Sequence, residues 1–384
     1  MNLHRVAVVA GKEWREIARD RVFLALAFAL PVMWILVFGY TMTFDVQNVP
    51  FVVLDFDHSA RSRDFAYRFI SSRYFDFRGY LTNEHEADRL LAAAKVRLVI
   101  TIPQHFERDI ASGHTAQIAT LIDGTFPSRA QTIQAYADSI SRNYSVGVRT
   151  ERVAGELGVP YERALVLMQP VHLEIRYLYN QALRSIWSVA PSLVMLTLMF
   201  VPSLLTALVV VREKENGSIY NIYSSTVTRG EFLLGKMIPS VAISYVDALV
   251  LTAIAVYYFG APFKADLGFY LVGALLYVVC TASIGLLVST VVRSQNAALM
   301  IASIVGIVPA IQFSGMINPI ATLEGSAWVQ AHLFPAMYFE NIVLGSFLKG
   351  VSGRYLWINA LILGGYTAVL IWVSYYVFRK RQKR

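Results

Sequence analysis

The sequence predicts an α-helical polytopic membrane protein with six membrane spans and an α+β domain inserted between the first and second spans. Of its 384 residues, 56% are hydrophobic and only 16% are charged, whereas about a quarter of the residues in a typical soluble domain are charged. Six apolar runs are each long enough to cross the hydrocarbon core of a bilayer. The largest interruption, residues 45–184, instead has the alternating strand and helix patterns of a soluble domain.

The first 21 residues predict a helix that lies on the cytoplasmic surface of the membrane. This segment carries five basic and three acidic residues, and Trp14, Ile17 and Ala18 repeat at helical spacing with charges elsewhere. Because positively charged segments are retained in the cytoplasm, we expect the N-terminus there and assign the uncharged residues 22–44 to span 1. The centre of this interface helix is the run Lys12, Glu13, Trp14, Arg15 and Glu16.

Residues 45–184 predict an α+β domain on the periplasmic side. Alternating or continuous apolar runs predict strands at residues 51–55, 96–102, 116–122 and 171–177. Capping and breaker residues predict helices at residues 59–72, 87–95, 104–112 and 128–157. Asp55, Asp57 and Asp123 follow strands, and aspartate at such turns usually makes local hydrogen bonds, so we favour that interpretation over a metal site.

Five further apolar runs predict spans 2 to 6 at residues 185–211, 237–263, 267–292, 297–315 and 355–378. Residues 316–354 are apolar but marked by prolines, which favours short external or re-entrant helices at the outer membrane face. The basic residues 379–384 predict a tail held in the cytoplasm.

Span 3 contains one charged residue, Asp247, near its middle. A carboxylate within the membrane is costly, so it marks either a functional position or a side chain satisfied by a hydroxyl on a neighbouring helix. Both interpretations of this intramembrane residue stay open.

A polar loop at residues 212–236 separates spans 2 and 3. Gly217 is placed to end the preceding helix, and Ser218 to begin a short helix that carries Ile219, Ile222 and Tyr223 on one face. Thr228 and Glu231 have the spacing of a capping box, which predicts that a new helix begins at Arg229.

This loop resembles the first cytoplasmic loop of ABC-2-type transporter permease subunits, which has the pattern R-E-[RK]-E-x-G-[ST] followed by T-R-G-E and L-G-K. Matching motifs elsewhere in the chain, among them F-L-K-G at residues 347–350, make it similar to the bacterial exporter subgroup with a large external domain. In that family the loop carries the coupling helix that inserts into an ATPase subunit. The resemblance assigns this ATPase-coupling task to Arg212, Glu213, Lys214, Glu215, Gly217, Ser218, Ile219, Ile222 and Tyr223.

The resemblance also implies partners and a location. It predicts a separate ABC ATPase that holds ATP and Mg, a second permease chain that is identical or related, and, as in some relatives, a periplasmic membrane-fusion adaptor. It places the chain among the lipids of a bacterial inner membrane as an exporter. Spans lined by apolar and hydroxyl-bearing residues are compatible with a drug-like, amphipathic or lipid-like substrate.

Several function classes are disfavoured. The sequence contains no G-x-x-x-x-G-K-[ST], H-E-x-x-H or G-x-S-x-G motif, so we expect no enzyme activity, cofactor or metal site in this chain. The basic surplus flanks predicted spans, which argues against nucleic acid as a partner. Two alternatives stay open: an ion-coupled carrier that uses Asp247, and a membrane-anchored sensor whose periplasmic domain binds a ligand.

Overall fold

The computed structural model describes residues 2–42, 46–169, 176–220 and 225–378. The chain forms two compact units: a helical unit made of residues 1–43 and 177–384, and an α+β unit made of residues 44–176. The expected basic tail, residues 379–384, lies outside the described residues.

The helical unit begins with the interface helix α1, Leu3–Arg19, followed at once by α2, Arg21–Thr41. Asp20 separates the two helices because its extended backbone ends α1, while its carboxylate accepts hydrogen bonds from the first amides of α2. Helix α2 contains one π-helical turn, Ala25–Ala29. These two helices correspond to the predicted interface helix and span 1.

The α+β unit is a four-stranded sheet with the order β2-β1-β3-β4. Strand β1 pairs in parallel with β2 and β3, and β4 pairs antiparallel to β3 at the edge. Its elements are β1 Val49–Asp55, α3 Ala60–Ile70, β2 Phe75–Leu81, α4 Glu84–Ala92, β3 Leu98–Ile102, α5 Phe106–Ser112, β4 Ala119–Ile122, α6 Pro127–Leu157 and α7 Tyr161–Met168.

Two apolar cores lie on opposite faces of this sheet. On one face, α3 and α6 cover an aromatic core that includes Phe51, Phe65 and Tyr144. On the other face, Ala87 of α4 packs with Val52 and Val99. The period-two alternation of the buried parallel strands produces this division, because successive side chains point to opposite faces.

Local capping signals predicted several elements of this unit correctly. The Ser59 hydroxyl accepts a hydrogen bond from the Ser62 amide at the start of α3, and Gly113 ends α5 in the left-handed conformation. Strand β2 and helix α7 were not predicted. Of the strand expected at residues 171–177, residues 171–175 lie outside the described residues, and residues 176 and 177 are not in a strand.

The rest of the helical unit contains, among the described residues, seven longer helices, a single 3₁₀ turn and a separate π-helical turn at Gly345–Lys349. These elements are α8 Ile186–Glu215, α9 Arg229–Tyr258, α10 Leu267–Val291, α11 Gln295–Phe313, the 3₁₀ turn Ile320–Thr322, α12 Gly325–Leu333, α13 Pro335–Leu344 and α14 Gly353–Val377. Within the described part of the chain, six helices are long and apolar enough to cross a membrane: α2, α8, α9, α10, α11 and α14. We refer to them as spans 1 to 6. Short helices occur between spans 5 and 6, within residues 316–354; their position at the outer membrane face stays a prediction.

Span 2 is the centre of the helical unit, because its apolar run is completely buried. Two glycines allow other spans to approach its backbone. A Cβ atom on Gly285 of span 4 would lie 2.0 Å from the carbonyl oxygen of Ser203, and one on Gly306 of span 5 would lie 3.4 Å from the Cα atom of Phe200. Such close packing through small residues is a common way for membrane helices to associate.

Candidate coupling site

Three helix segments meet at the polar ends of spans 2 and 3: the interface helix α1, the last turn of α8 and the first turns of α9. Glycine again permits the contact, since a Cβ atom on Gly235 of α9 would lie 2.7 Å from the Cβ atom of Val9 on α1. Their charged side chains form one group, which we call the charged cluster: Lys12, Glu13, Glu16, Asp20, Arg212, Glu213 and Lys236.

Lys236 lies at the centre of the charged cluster. Its side chain is 1% exposed, and those of Glu13 and Glu213 are 0% and 4% exposed. The Lys236 ammonium donates hydrogen bonds to Glu13 Oε2 and, at 2.8 Å, to Glu213 Oε1. One buried cation therefore joins the interface helix to the end of span 2 from a position at the start of span 3.

Arg212 and Lys12 extend the charged cluster toward solvent. The Arg212 guanidinium lies 2.9 Å from Asp20 Oδ2, 3.4 Å from Glu13 Oε1 and 3.7 Å from Glu16 Oε2. The Lys12 ammonium lies 2.9 Å from Glu213 Oε1 and 3.3 Å from Glu16 Oε1. Although partial burial opposes the shift, the hydrogen bond and charge of Glu213 raise the pKa of Lys12 above its ordinary value.

The next two residues connect span 2 to spans 4 and 5. The Lys214 ammonium donates hydrogen bonds to the carbonyl oxygens of Ser289, of Thr290 at 3.1 Å and of Val292 at 3.2 Å, all at the end of span 4. Glu215 Oε2 accepts hydrogen bonds from Gln295, at 3.0 Å from its amide and 2.9 Å from its side chain, where span 5 begins. Lysine at a helix C-terminus and glutamate at an N-terminus also complement the helix dipoles.

The first turn of α9 has the capping box that the sequence predicts. The Thr228 hydroxyl accepts from the Glu231 amide, and Glu231 Oε2 accepts from the Thr228 amide at 2.9 Å. Glu231 Oε1 also accepts from the Asn2 amide at 2.7 Å, and Arg5 donates to the Thr226 carbonyl at 2.7 Å. The beginning of α1 is therefore fixed to the beginning of span 3.

The structure corrects one expectation about secondary structure and one about exposure. Residues 212–215 were expected in a loop, but they continue the helix of span 2 as far as Glu215. Trp14 was expected on the apolar side of the interface helix with Ile17, but it is 50% exposed, and the buried positions of α1 are Val6, Glu13 and Ile17. The buried side of α1 thus contains a carboxylate because Lys236 and Arg212 neutralise it. Arg15, also on α1, donates to the carbonyl of Gly11 in its own helix.

After Glu215 the chain turns sharply. Gly217 has a φ of +72°, which a glycine adopts without strain, and the Ser218 hydroxyl donates to Glu213 Oε2. Ile219 is buried against Phe232, whereas the neighbouring Tyr220 is 57% exposed. The predicted helix residues Ile222 and Tyr223 lie outside the described residues.

A surface depression of about 710 Å³ lies beside this turn, with Lys12, Glu16, Arg212, Asn216 and Ser218 among its lining residues. Carboxylate oxygens of Glu13, Glu16 and Glu213 lie within 4.8 Å of one another. Because Lys12, Lys236 and Arg212 already pair with them, these carboxylates do not offer the unpaired negative charge that a metal ion requires.

Asp247 lies on a buried face of span 3 and is 2% exposed. Its Oδ2 atom has no hydrogen-bond partner among the described residues. Ser240 and Ser244, which precede it on the same helix, also have buried hydroxyl groups without a described partner. The helix therefore has a line of unsatisfied polar groups within the apolar unit. The expected satisfying hydroxyl is not found in the described part of the chain.

The three strand-end aspartates of the α+β unit are hydrogen-bonded; Asp55 and Asp123 bond within their own turns, and Asp57 bonds across to the start of α5. Asp55 accepts from the Asp57 and His58 amides and from the Ser62 hydroxyl, and Asp57 accepts from the Glu107 amide. Hydrogen bonds from the hydroxyl and amide of Thr125, together with Arg97, lower the pKa of Asp123 to about 2. These contacts agree with the interpretation that the aspartates stabilise turns.

Comparison with known proteins identifies the family. Residues 21–376 match the family described as ABC-2 family transporter protein. The chain is 27% identical to the probable multidrug ABC transporter permease YbhS of Escherichia coli, over 99% of this chain and 98% of that protein. It is 25% identical to the probable multidrug ABC transporter permease YbhR of Escherichia coli, over 98% of this chain and 99% of that protein. It is 22% identical to the inner membrane transport permease YhhJ of Escherichia coli, over 99% of this chain and 98% of that protein. The resemblance found in the motifs is confirmed, and the chain belongs to the ABC-2 family of multi-pass membrane transporter proteins.

Proposed function

We propose that this chain is the membrane permease subunit of an ABC exporter and that a separate ATPase subunit docks on the segment that follows span 2. The observation that carries the proposal is the charged cluster, because it joins the docking segment to the helices that would have to move. ATP and Mg are bound by the ATPase subunit, and this chain converts the movement of that subunit into a change of helix packing.

The proposed docking surface consists of the exposed side chains around the turn at Gly217. Tyr220 and Asn216 are exposed there, and the 710 Å³ depression adjoins them. An exposed aromatic side chain is a common anchor in protein interfaces, and charged residues around it supply a polar rim. Resemblance to the family extends this surface to Ile222 and Tyr223.

The side chains of Glu213, Lys214 and Glu215, which precede that surface in the sequence, provide the mechanical connection. Glu213 joins the segment to the interface helix and span 3 through Lys236, whereas Lys214 and Glu215 join it to spans 4 and 5. A force on the turn therefore acts on several helices together. Packed helices switch between discrete arrangements more readily than they deform, so this connection suits a change between inward-open and outward-open packings.

The helical unit also supports partners within the membrane. Spans 1, 5 and 6 bury only 28%, 22% and 11% of their apolar runs, and the apolar surface that remains requires lipid or another helix bundle. We assign them to membrane lipid and to a second permease chain, identical or related. The positive charge around the N-terminal helix supports a cytoplasmic position for both termini and a periplasmic position for the α+β unit in a bacterial inner membrane. There the unit is available to a membrane-fusion adaptor.

The substrate class follows from the relatives and from the spans. Two relatives carry the name multidrug permease, and the spans are composed mainly of apolar and hydroxyl-bearing residues. We therefore propose an amphipathic, drug-like or lipid-like substrate that moves outward.

Co-purification from the native membrane tests the docking proposal. The tagged chain is purified in mild detergent beside Tyr220→Ala and a matched control, Tyr257→Ala, which removes an 88% exposed tyrosine at the opposite end of span 3. An ATPase with a phosphate-binding loop is expected with the wild type and the control, and in reduced amount with Tyr220→Ala. Absence of such an ATPase from monodisperse wild-type protein would contradict the proposal, as would undiminished binding by the Tyr220 variant.

A second variant separates docking from transmission. Glutamine at position 213 keeps an oxygen that can accept from the Ser218 hydroxyl, so Glu213→Gln should leave the docking surface intact while weakening its connection to Lys236. We expect normal recovery of the ATPase but less stimulation of its ATP hydrolysis by the permease. Unchanged stimulation would show that the charged cluster does not transmit the movement.

A further inference from the structure

The α+β unit contains a cavity of about 380 Å³ that the proposed transport mechanism does not use. It lies between the edge strand β4, the segment that follows α5 and the long helix α6. Its volume is within the usual range for small-molecule sites, roughly 300–1,000 Å³. The cavity forms because α6, which is 31 residues long, buries only four of its residues and covers the sheet incompletely.

The inner wall of the cavity is apolar. The buried rings of Phe65, Phe106 and Tyr144 line it, with ring centroids 5.1–6.4 Å apart. Ile118 and Val148 are only partly buried, so apolar surface remains on the wall. A ligand with an aromatic or branched apolar body would remove this surface from water, which is favourable in proportion to the area covered.

The outer wall is polar, and one end of it is cationic. Helix α6 places Gln134, Asp138, Ser145, Arg149 and Arg152 along the cavity at spacings of three, four or seven residues, which lie on one side of a helix. Asp138 lies roughly three turns before Arg149, about 16 Å along the helix axis at 1.5 Å per residue, and so does not neutralise it.

The two arginines at this end have different tasks. The Arg152 guanidinium donates to the carbonyl oxygens of Ile110, at 2.6 Å, and Ala111, at 3.0 Å, at the end of α5. Arg149 has no hydrogen bond or ion pair among the described residues. Arg152 therefore shapes the wall, and Arg149 is the cation available to a ligand.

We propose that this cavity binds a small amphipathic anion, whose apolar body lies against Phe65, Phe106 and Tyr144 and whose carboxylate or similar anionic group pairs with Arg149. Arginine binds such groups through two parallel N–H donors, which fixes the orientation of the ligand as well as its charge. The proposal concerns the α+β unit alone and does not depend on which partner drives transport.

Calorimetric titration of the full chain in phosphatidylcholine nanodiscs tests the site, with empty nanodiscs as the blank. The probes are sodium 2-naphthoate, neutral 2-naphthamide and cationic 2-naphthylmethylammonium. Saturable binding of the naphthoate is expected, with Arg149→Gln weakening it about tenfold to a hundredfold, the effect of losing hydrogen bonding to a charged group. Arg142→Gln, which removes an exposed arginine of α6 away from the cavity, should leave it unchanged.

A blocking variant makes the result decisive. Ser145 is exposed on the cavity side of α6, so Ser145→Trp fills the cavity without disturbing the core. Loss of naphthoate binding with an unchanged thermal transition supports the proposal. Three outcomes overturn it: no binding to the wild type, equal binding of all three probes, or naphthoate binding that survives Ser145→Trp.

Discussion

Replacing Lys236 by methionine removes the cation at the centre of the charged cluster while keeping an unbranched side chain. The buried carboxylates of Glu13 and Glu213 then lose their shared partner. Breaking a buried ion pair by removing one member costs about 3–5 kcal/mol, because the other charge stays buried without compensation. We expect this cost to appear as release of the interface helix from spans 2 and 3.

The release can be measured at Ile17, which is 2% exposed on the buried side of the interface helix. A single-cysteine background is made with Cys280→Ala, since Cys280 is the chain's one cysteine, and Ile17→Cys is then added. Modification of this thiol by N-ethylmaleimide requires local opening, so its rate follows the opening equilibrium. Each 1.4 kcal/mol corresponds to a tenfold change in an equilibrium constant. Lys236→Met should therefore increase the labelling rate by a factor between about one hundred and a few thousand.

Two comparisons define what would refute this reasoning. Lys12→Met removes a cation whose side chain is 49% exposed, and an exposed ion pair of at most about 1 kcal/mol changes the rate less than about fivefold. Adding Glu13→Gln to Lys236→Met removes one orphaned carboxylate and should recover most of the lost protection. If Lys236→Met and Lys12→Met gave the same labelling rate, the buried ion pairs would not be what holds the interface helix in place.

Three further predictions concern single positions in the helical unit. Gly285→Ala places a Cβ atom 2.0 Å from the Ser203 carbonyl oxygen, so it should lower the thermal transition temperature and the yield of monodisperse protein. Gly364→Ala is the control, because the space around Gly364 is open and neither quantity should fall. Thr228→Val removes the capping hydroxyl of span 3 and should cost about 0.5–2 kcal/mol, seen as faster amide exchange in the first turn of that helix only. Asp247→Leu replaces a buried and unsatisfied carboxyl group and should stabilise the protein by about 1–3 kcal/mol. A simultaneous loss of export at equal abundance would show that Asp247 is retained for function. A lower thermal transition temperature would contradict the prediction and mean that Asp247 has a partner.

The sequence predicts those features that depend on neighbouring residues. Six apolar runs give six long helices because length and hydropathy are local properties. The Thr228 and Glu231 capping box and the turn at Gly217 were predicted for the same reason, since each is specified within four residues.

Features that depend on distant residues were not predicted. Residues 212–215 are charged, so their sequence is typical of a solvated loop. They are helical because other helices supply partners for their side chains, such as Glu13 for Arg212 and Gln295 for Glu215. These partners lie far away in the sequence and cannot be read from the segment itself. The prediction placed Trp14 on the apolar side of the interface helix and Glu13 among the charged positions, whereas Trp14 is exposed and Glu13 is buried. The reason is the same. Hydrophobic periodicity treats every carboxylate as exposed, and only a cation from another helix changes that assignment.

Strand β2 shows the same limit in the α+β unit. Its segment, Phe75–Leu81, contains Gly79 at a φ of +134° and pairs with β1 through a register shift between Phe51 and Val53. Glycine and irregular register weaken the alternating pattern by which a strand is predicted. The parallel pairing that stabilises β2 is set by the buried strand beside it and not by its own residues.

The arrangement of the R-E-K-E run indicates how one short motif can serve a whole bundle. If its four side chains contacted an ATPase directly, they would have to leave the internal partners that bury or cap them, at the cost of unpaired charges and carbonyl groups. It is energetically simpler for the partner to bind the exposed turn beyond them and for the run to remain attached to four helix ends. Because Arg212, Glu213, Lys214 and Glu215 are on one uninterrupted helix with span 2, we expect the turn and the centre of the bundle to move as a single element. The proposed docking surface and the proposed moving parts are therefore connected by the shortest route that the chain provides.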